Sequence, residues 1–399
     1  MERTIYREIP ANRQVWTAAV LLAAFVAAAG LSVLYVEHHG HIVTGMNNQI
    51  VWGLPHVFAI FLIVAASGAL NVASIASVFS NNAYKPMARF SSLTAMALLA
   101  GGLAVLVLDL GRPDRLLVAM TTYNFSSIFA WNVILYTGFM GIVAVYLALQ
   151  MNRVNYKWTR AAGITAFFWR LALTTGTGSI FGWLVARPGY DAAIMAPLFI
   201  AMSFAFGLAV FMLCLILVFK LSDREIGDGI LERKTRLLGI FVALVGYFTA
   251  VQHLTALYAA EHSGFETFIL RDGGIFTTLF WLGQIGIGMI LPLILIYGLP
   301  NWETKSRAVL VSVLIVIGGF CQLYVILIGG QAYPMEIFPG YTVVSSFGDG
   351  QVASYSPSIY ELALGLGGVA LTLLMIGAGS KVLRVLPTNL KDANIPEDD

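Results

Sequence analysis

The sequence predicts an all-α integral membrane protein with ten transmembrane helices, and three observations carry that reading. The 399-residue chain is 58% hydrophobic and only 11% charged, with a mean hydropathy of +0.81, whereas soluble domains carry about 25% charged residues. Its apolar residues gather in ten runs, each long enough to cross a hydrocarbon core of about 30 Å. Its Lys and Arg alternate between the connections, as a regular weave through a membrane demands.

The first run, 15–36, is longer than the roughly 7–15 residues of a cleavable signal segment and reads as a retained helix behind a cytoplasmic N-terminus, 1–14. The runs at 51–79 and 88–108 follow. Small residues such as "AASGALNVASIAS" suit close helix packing in lipid, and the third run ends abruptly in "LDLGRPDR". The fourth, 128–150, opens out of "YNFSSIFAWN", and the fifth, 161–185, holds Arg170 and "TTGTGS". Further runs occupy 194–219, 236–259, 275–299 and 306–329, and the tenth, 357–380, contains "GLGGVAL". The two ends and the even-numbered connections hold 18 of the 23 Lys and Arg; the odd-numbered connections hold four, and Arg170 lies inside a run. Both termini are therefore expected in the cytoplasm. The third helix then ends outside, so the charges of "DLGRPDR" do not serve topology.

Landmarks recur at an offset of 142 to 147 residues: Pro55 and Pro197, Arg89 and Arg236, "SIFAWN" from Ser127 and "GIFTTLF" from Gly274. A shift of four helices keeps direction, so the copies are related by an axis along the membrane normal. The expected organisation is a first peripheral helix and outer loop (15–50) and a first four-helix bundle carrying the principal site (51–185). A second bundle (186–329), an outer loop with the tenth helix (330–380) and a cytoplasmic tail (381–399) complete it.

The net charge of +2, spread over separate loops, argues against nucleic acid as a partner. Two cysteines, Cys214 and Cys321, fall near opposite membrane faces; they make neither a disulfide nor the ligand set of an iron–sulfur cluster. "EHHGH" (His38, His39, His41) lacks a second group of spaced ligands and reads as a solvated loop rather than a metal site.

Ionisable groups inside membrane helices cost roughly 2.5–3.5 kcal/mol each on insertion scales, so each needs a reason. His56, Asp109, Arg112, Asn124, Ser127, Trp131 and Asn132 cluster at the outer end of the first bundle. His253, Tyr258 and Glu261 lie at the same depth in the second, and Arg170 is the deepest charge. A flat headgroup with two carbonyl oxygens needs such a setting: polar groups at its ends and an imidazole or carboxylate to exchange a proton.

At "DLGRPDR" and "NFSSIFAWN", preceded by "GMNNQIVWGLP", the protein resembles the NrfD family of polysulfide-reductase-type integral membrane subunits. The likeness runs from about Gly45 to the C-terminus and is closest to the ten-helix branch typified by the membrane subunit of the sulfite-reduction-associated Dsr complex. It implies a quinone-reactive subunit of a multi-subunit oxidoreductase in the bacterial inner membrane. Such a subunit uses exchangeable menaquinone or ubiquinone and carries no haem or iron–sulfur cluster of its own. The implied partners are a ferredoxin-like iron–sulfur subunit on the periplasmic side, a multihaem cytochrome c, and a haem b membrane subunit attached to a cytoplasmic heterodisulfide-reductase-like subunit.

Carried onto this sequence, His56, Asp109 and Arg112 are the reactive residues, with Arg112 orienting the Asp109 carboxylate. Asn124, Ser127 and Trp131 line the quinone. Arg170, with the threonine-rich segment after it, marks a proton path, and because His253, Tyr258 and Glu261 depart from the "DLGRP" pattern, the second bundle holds either a continuation of that path or a second quinone site. Two other classes stay open from the residues alone: a haem b cytochrome ligated by His56 and His253, and a secondary transporter built on the repeat.

Overall fold

The computed structural model describes residues 4–78, 81–152, 154, 156–299, 302–335, 341 and 350–391. Residues 336–340 and 342–349 of the expected outer loop before the tenth helix, and 392–399 at the end of the expected cytoplasmic tail, lie outside the described residues. Long helices stand at the ten apolar runs: α1 (Arg13–His39), α2 (Leu54–Ser77), α3 (Ala88–Leu108), α4 (Ile128–Met151), α5 (Thr159–Gly182), α6 (Met195–Leu221), α7 (Asp228–Tyr258), α8 (Ile275–Tyr297), α9 (Thr304–Ala332) and α10 (Ile359–Val382). Among the described residues, nine of them are long and apolar enough to cross a membrane. The exception is α5, of 24 residues, which carries Arg170 and its threonines.

Local chemistry fixes the helix ends. Asn12 Oδ1 accepts from the Val15 N–H at 2.9 Å and starts α1; Gly40, at φ +79°, stops it in a conformation that favours glycine. Pro55 sits in the first turn of α2, where its missing N–H leaves no bond unmade. α10 opens with a capping box between Ser358 and Glu361.

Burial separates centre from periphery. Almost all of α2 is buried, and it packs against α3, α5, α6, α9 and α10. α1 buries only Ala29 and lies against α10. Around the centre, α4 packs on α3 and α5, while α7, α8 and α9 pack on one another and α6 joins the two groups. Where α2 crosses α6, Gly68 meets Gly207 backbone to backbone.

The two ends of the polypeptide meet at one rim. Strand Tyr6–Arg7 pairs antiparallel with Leu386–Pro387, and the Arg224 guanidinium donates to the carbonyls of Pro387 (3.1 Å) and Glu8 (2.7 Å). The start of α2 and the end of α3 consequently face the far rim. There residues 45–53 are strapped down. Glu361 accepts from the Gly45 N–H (2.8 Å) and the Tyr355 hydroxyl (2.7 Å), which itself accepts from the Leu54 N–H (2.6 Å). Burial and the adjacent carboxylate push the Tyr355 pKa up, so it stays a donor. The Gln331 carboxamide accepts from Val51 and Trp52 and donates back to the Trp52 carbonyl. Arg187 then ties the carbonyls of Gln331 and Gln49 together, both at 2.8 Å.

Candidate functional site

The strap positions the far-rim site. His56, in the first turn of α2, places Nδ1 2.7 Å from Oδ2 of Asp109, the residue that caps α3. The two side chains are 13% and 5% exposed. The contact is short but out of line for a hydrogen bond, a geometry common in catalytic pairs before substrate tightens them. Nε2 of His56 has no hydrogen-bond partner among the described residues, so it is free to meet a ligand.

An aromatic wall backs this pair. The Trp52 ring lies 6.2 Å from His56 at 26°, with the edges of Phe129 and Phe181 and the face of Tyr190 within 6.4 Å. Tyr190, whose pKa is pushed up by burial, donates its hydroxyl to the Leu327 carbonyl. Trp52 is not among the residues that polarity singles out in the sequence. Its signal is its place in "VWGLPH", directly before the helix that carries His56.

The expected Asp109–Arg112 pair does not form. Arg112 takes φ −144°, ψ 69°, which turns its guanidinium to Asp114 in a bidentate contact of 3.0 and 2.9 Å at an exposed position. That contact holds the Asp114 carboxyl below its ordinary value. The partner of Asp109 is instead the histidine of the neighbouring helix.

The remaining first-group residues shape the next connection. Asn124 Oδ1 accepts from the Ser126 N–H, Ser127 caps α4, and Trp131 Nε1 donates to the Phe125 carbonyl at 2.9 Å. Asn132 turns inward and donates to the Gly176 carbonyl at 3.0 Å.

Deeper, Arg170, Thr174 and Thr177 share one face of α5. Arg170 is 2% exposed. Its guanidinium carbon lies 4.8 Å from the Phe167 ring centroid and 5.3 Å from that of Phe204. Nε and Nη1 are buried without a hydrogen-bond partner among the described residues. Among the described residues, neither a carboxylate nor a carbonyl is bonded to those two atoms. Hydroxyls line the backbone of this face: Thr174 and Ser67 donate to the Arg170 main-chain carbonyl, and Thr177 Oγ1 lies 3.1 Å from the Tyr136 hydroxyl.

In the second group, His253 Nδ1 and Glu266 Oε2 stand 2.7 Å apart in an aligned hydrogen bond. Tyr258 is 95% exposed at the end of α7, and the Glu261 side chain is 80% exposed beside His262. The structure therefore brings neither to His253. Sequence reasoning misses Glu266, because only the reversal of the backbone at 259–262 returns it to α7; an acid set between Phe265 and Phe268 is the available signal.

Comparison with known proteins places this sequence in a family. The family model described as "Polysulphide reductase, NrfD" matches residues 42–335. The Hdr-like menaquinol oxidoreductase integral membrane subunit of Archaeoglobus fulgidus is 27% identical over 98% of this sequence and 99% of its own. The C-type membrane subunit of a putative dimethyl sulfoxide reductase from Halobacterium salinarum is 29% identical over 88% of this sequence and 87% of its own. The C polypeptide of Wolinella succinogenes polysulfide reductase is 26% identical over 72% of this sequence and 96% of its own. With nine described helices fit to span a bilayer and a family match over most of its length, this multi-pass membrane protein belongs to the NrfD family.

Proposed function

We propose that the protein is the quinone-interacting membrane subunit of a respiratory redox complex and oxidises menaquinol, or reduces menaquinone, at the His56–Asp109 pair. The observation that carries this reading is the short Nδ1–Oδ2 contact at the ends of two long apolar helices, with Nε2 left without a partner among the described residues. The names of the Archaeoglobus and Wolinella relatives support the class of reaction. All ten helices span the membrane as two four-helix bundles, α2–α5 and α6–α9, with α1 and α10 outside them. The rim that carries the termini is cytoplasmic. An iron–sulfur subunit docks on the far, periplasmic rim, and a multihaem cytochrome c and a haem b subunit with a cytoplasmic heterodisulfide-reductase-like partner complete the complex.

Quinol oxidation releases two electrons and two protons. His56 Nε2 accepts one proton from a quinol hydroxyl, the ionised Asp109 stabilises the resulting imidazolium, and the histidine passes that proton to the far aqueous side before accepting the second. The electrons leave to the iron–sulfur partner. Trp52 supplies a flat face against which a quinone ring packs. Photolabelling with an azidoquinone tests this assignment: the label is expected on segments 52–61 and 105–115, and His56→Leu is expected to cut it at least about tenfold, equivalent to about 1.4 kcal/mol of affinity. Unchanged labelling of those segments in the variant would remove the assignment.

The Arg170–Thr174–Thr177 face lines a proton route from the cytoplasmic side into the first bundle. A charge buried without hydrogen bonds at Nε and Nη1 supports this, because bound water satisfies such atoms at least cost. In reconstituted complexes turning over toward quinone reduction, which consumes two protons, Arg170→Met is expected to lower cytoplasmic proton uptake per quinone reduced while reduction continues on protons from the far side. Equal uptake by variant and parent would end the proposal.

A further inference from the structure

We infer that the second bundle carries a second quinone-headgroup site, centred on His253 and Glu266; the inference rests on reading His56–Asp109 as the first. The two pairs bring the same atom types together, in line for a hydrogen bond at His253 and out of line for one at His56. In each, histidine Nδ1 meets a buried carboxylate oxygen at 2.7 Å, and the histidine keeps 13% or 14% of its side chain exposed beside a carboxylate at 5% or 1%. A carboxylate on Nδ1 fixes the neutral imidazole with its proton there and leaves Nε2 as an acceptor. His253 Nε2 has no hydrogen-bond partner among the described residues.

The sequence repeat brings the pairs into register. His253 stands 144 positions after Asp109, inside the offset that relates the two halves. One member of each pair thus sits at the far end of α3 or α7. The second member differs: His56 comes from the neighbouring helix, whereas Glu266 comes from the short helix Ser263–Thr267 that folds back after α7. The motif "DLGRP" is therefore missing from the second half although the dyad is rebuilt.

Aromatic rings flank both histidines, Trp52 nearly parallel to His56 and Phe280 steeply tilted to His253. Phe280 presents its edge to His253 at 4.8 Å and 71°, and Trp281 meets Phe280 at 4.9 Å. The Trp281 indole donates to the Leu270 carbonyl at 2.9 Å, as Trp131 does to Phe125. Leu254, Leu257 and Trp281 are exposed on this side, giving a lipid-soluble ligand an apolar approach. A pair that served packing alone would close over its histidine; this one keeps 14% of the histidine side chain exposed.

The test is a titration of the purified full-length protein with the quinol analogue 2-heptyl-4-hydroxyquinoline N-oxide, read by fluorescence quenching, together with azidoquinone labelling of the unmutated protein. Two molecules bound per polypeptide are expected, with label on 250–285 as well as on 52–61 and 105–115. Glu266→Gln, which keeps a hydrogen-bonding group beside His253, and His253→Leu are each expected to halve the stoichiometry. His56→Leu is expected to remove the other half. One molecule per polypeptide, lost in His56→Leu and untouched by both second-bundle substitutions, with no label on 250–285, would overturn the second site and leave the first standing. One molecule lost only in the second-bundle variants would sustain the second site and overturn the first, and no binding at all would overturn both.

Discussion

Asp109→Asn lowers quinol oxidation by the assembled complex about 10²- to 10⁴-fold, the span typical of losing a positioned acid–base group. The substitution is nearly isosteric. The new carboxamide keeps an oxygen next to His56 Nδ1, so the helix end and the packing of α2 on α3 persist and the protein assembles. What disappears is the negative charge that makes an imidazolium tolerable in a nearly dry position. The loss falls on kcat, with a small change in KM, because that charge is called on only when His56 takes the proton. Membranes carrying the variant, assayed with a water-soluble menaquinol analogue and normalised to complex content, provide the measurement. Turnover within about twofold of the parent would show that the carboxylate has no part in proton transfer. Arg112→Gln in the same assay is expected to leave kcat unaltered, since its guanidinium is spent on Asp114 at the surface.

How far the sequence discloses this site depends on what kind of contact makes it. The helices are legible because each needs only a run of apolar residues and a stop signal such as Gly40 or the Pro55 turn, both of which are local in the sequence. His56 and Asp109 are legible as individuals, since polarity inside an apolar run stands out. Their pairing is not: it joins residues 53 positions apart through the angle at which α2 crosses α3, and Arg112, only three positions from Asp109, is the obvious partner until the backbone turns it away. Glu266 is hidden for the same reason, and Trp52 because a tryptophan at a membrane rim ordinarily means anchoring.

A second large effect is expected far from the chemistry, at the crossing of α2 and α6. In lipid, helices gain nothing from excluding water from one another, so close backbone approach at small residues carries the association. At Gly68 an added Cβ runs into the Ser203 carbonyl, and at Gly207 it runs into the Gly68 backbone. Both obstacles are main chain within buried helices, which no change of rotamer relieves. Overpacking a core usually costs about 1–3 kcal/mol; here the strain has no side chain to absorb it, and Gly68→Leu is expected to reach or pass the top of that range. Little folded protein should survive detergent extraction, and what does should melt well below the parent by intrinsic fluorescence. Gly141→Leu supplies the control, because a side chain at that position of α4 meets open space. Parent-like yield and melting for both variants would mean that the two halves of the molecule are not held at this glycine crossing. The far-rim sites sit on helices that this crossing fixes relative to each other: His56 is carried by α2 itself, and α7, which carries His253, packs on α6. A milder substitution, Gly207→Ala, should therefore weaken azidoquinone labelling at both dyads together, whereas changes at either dyad act on one alone.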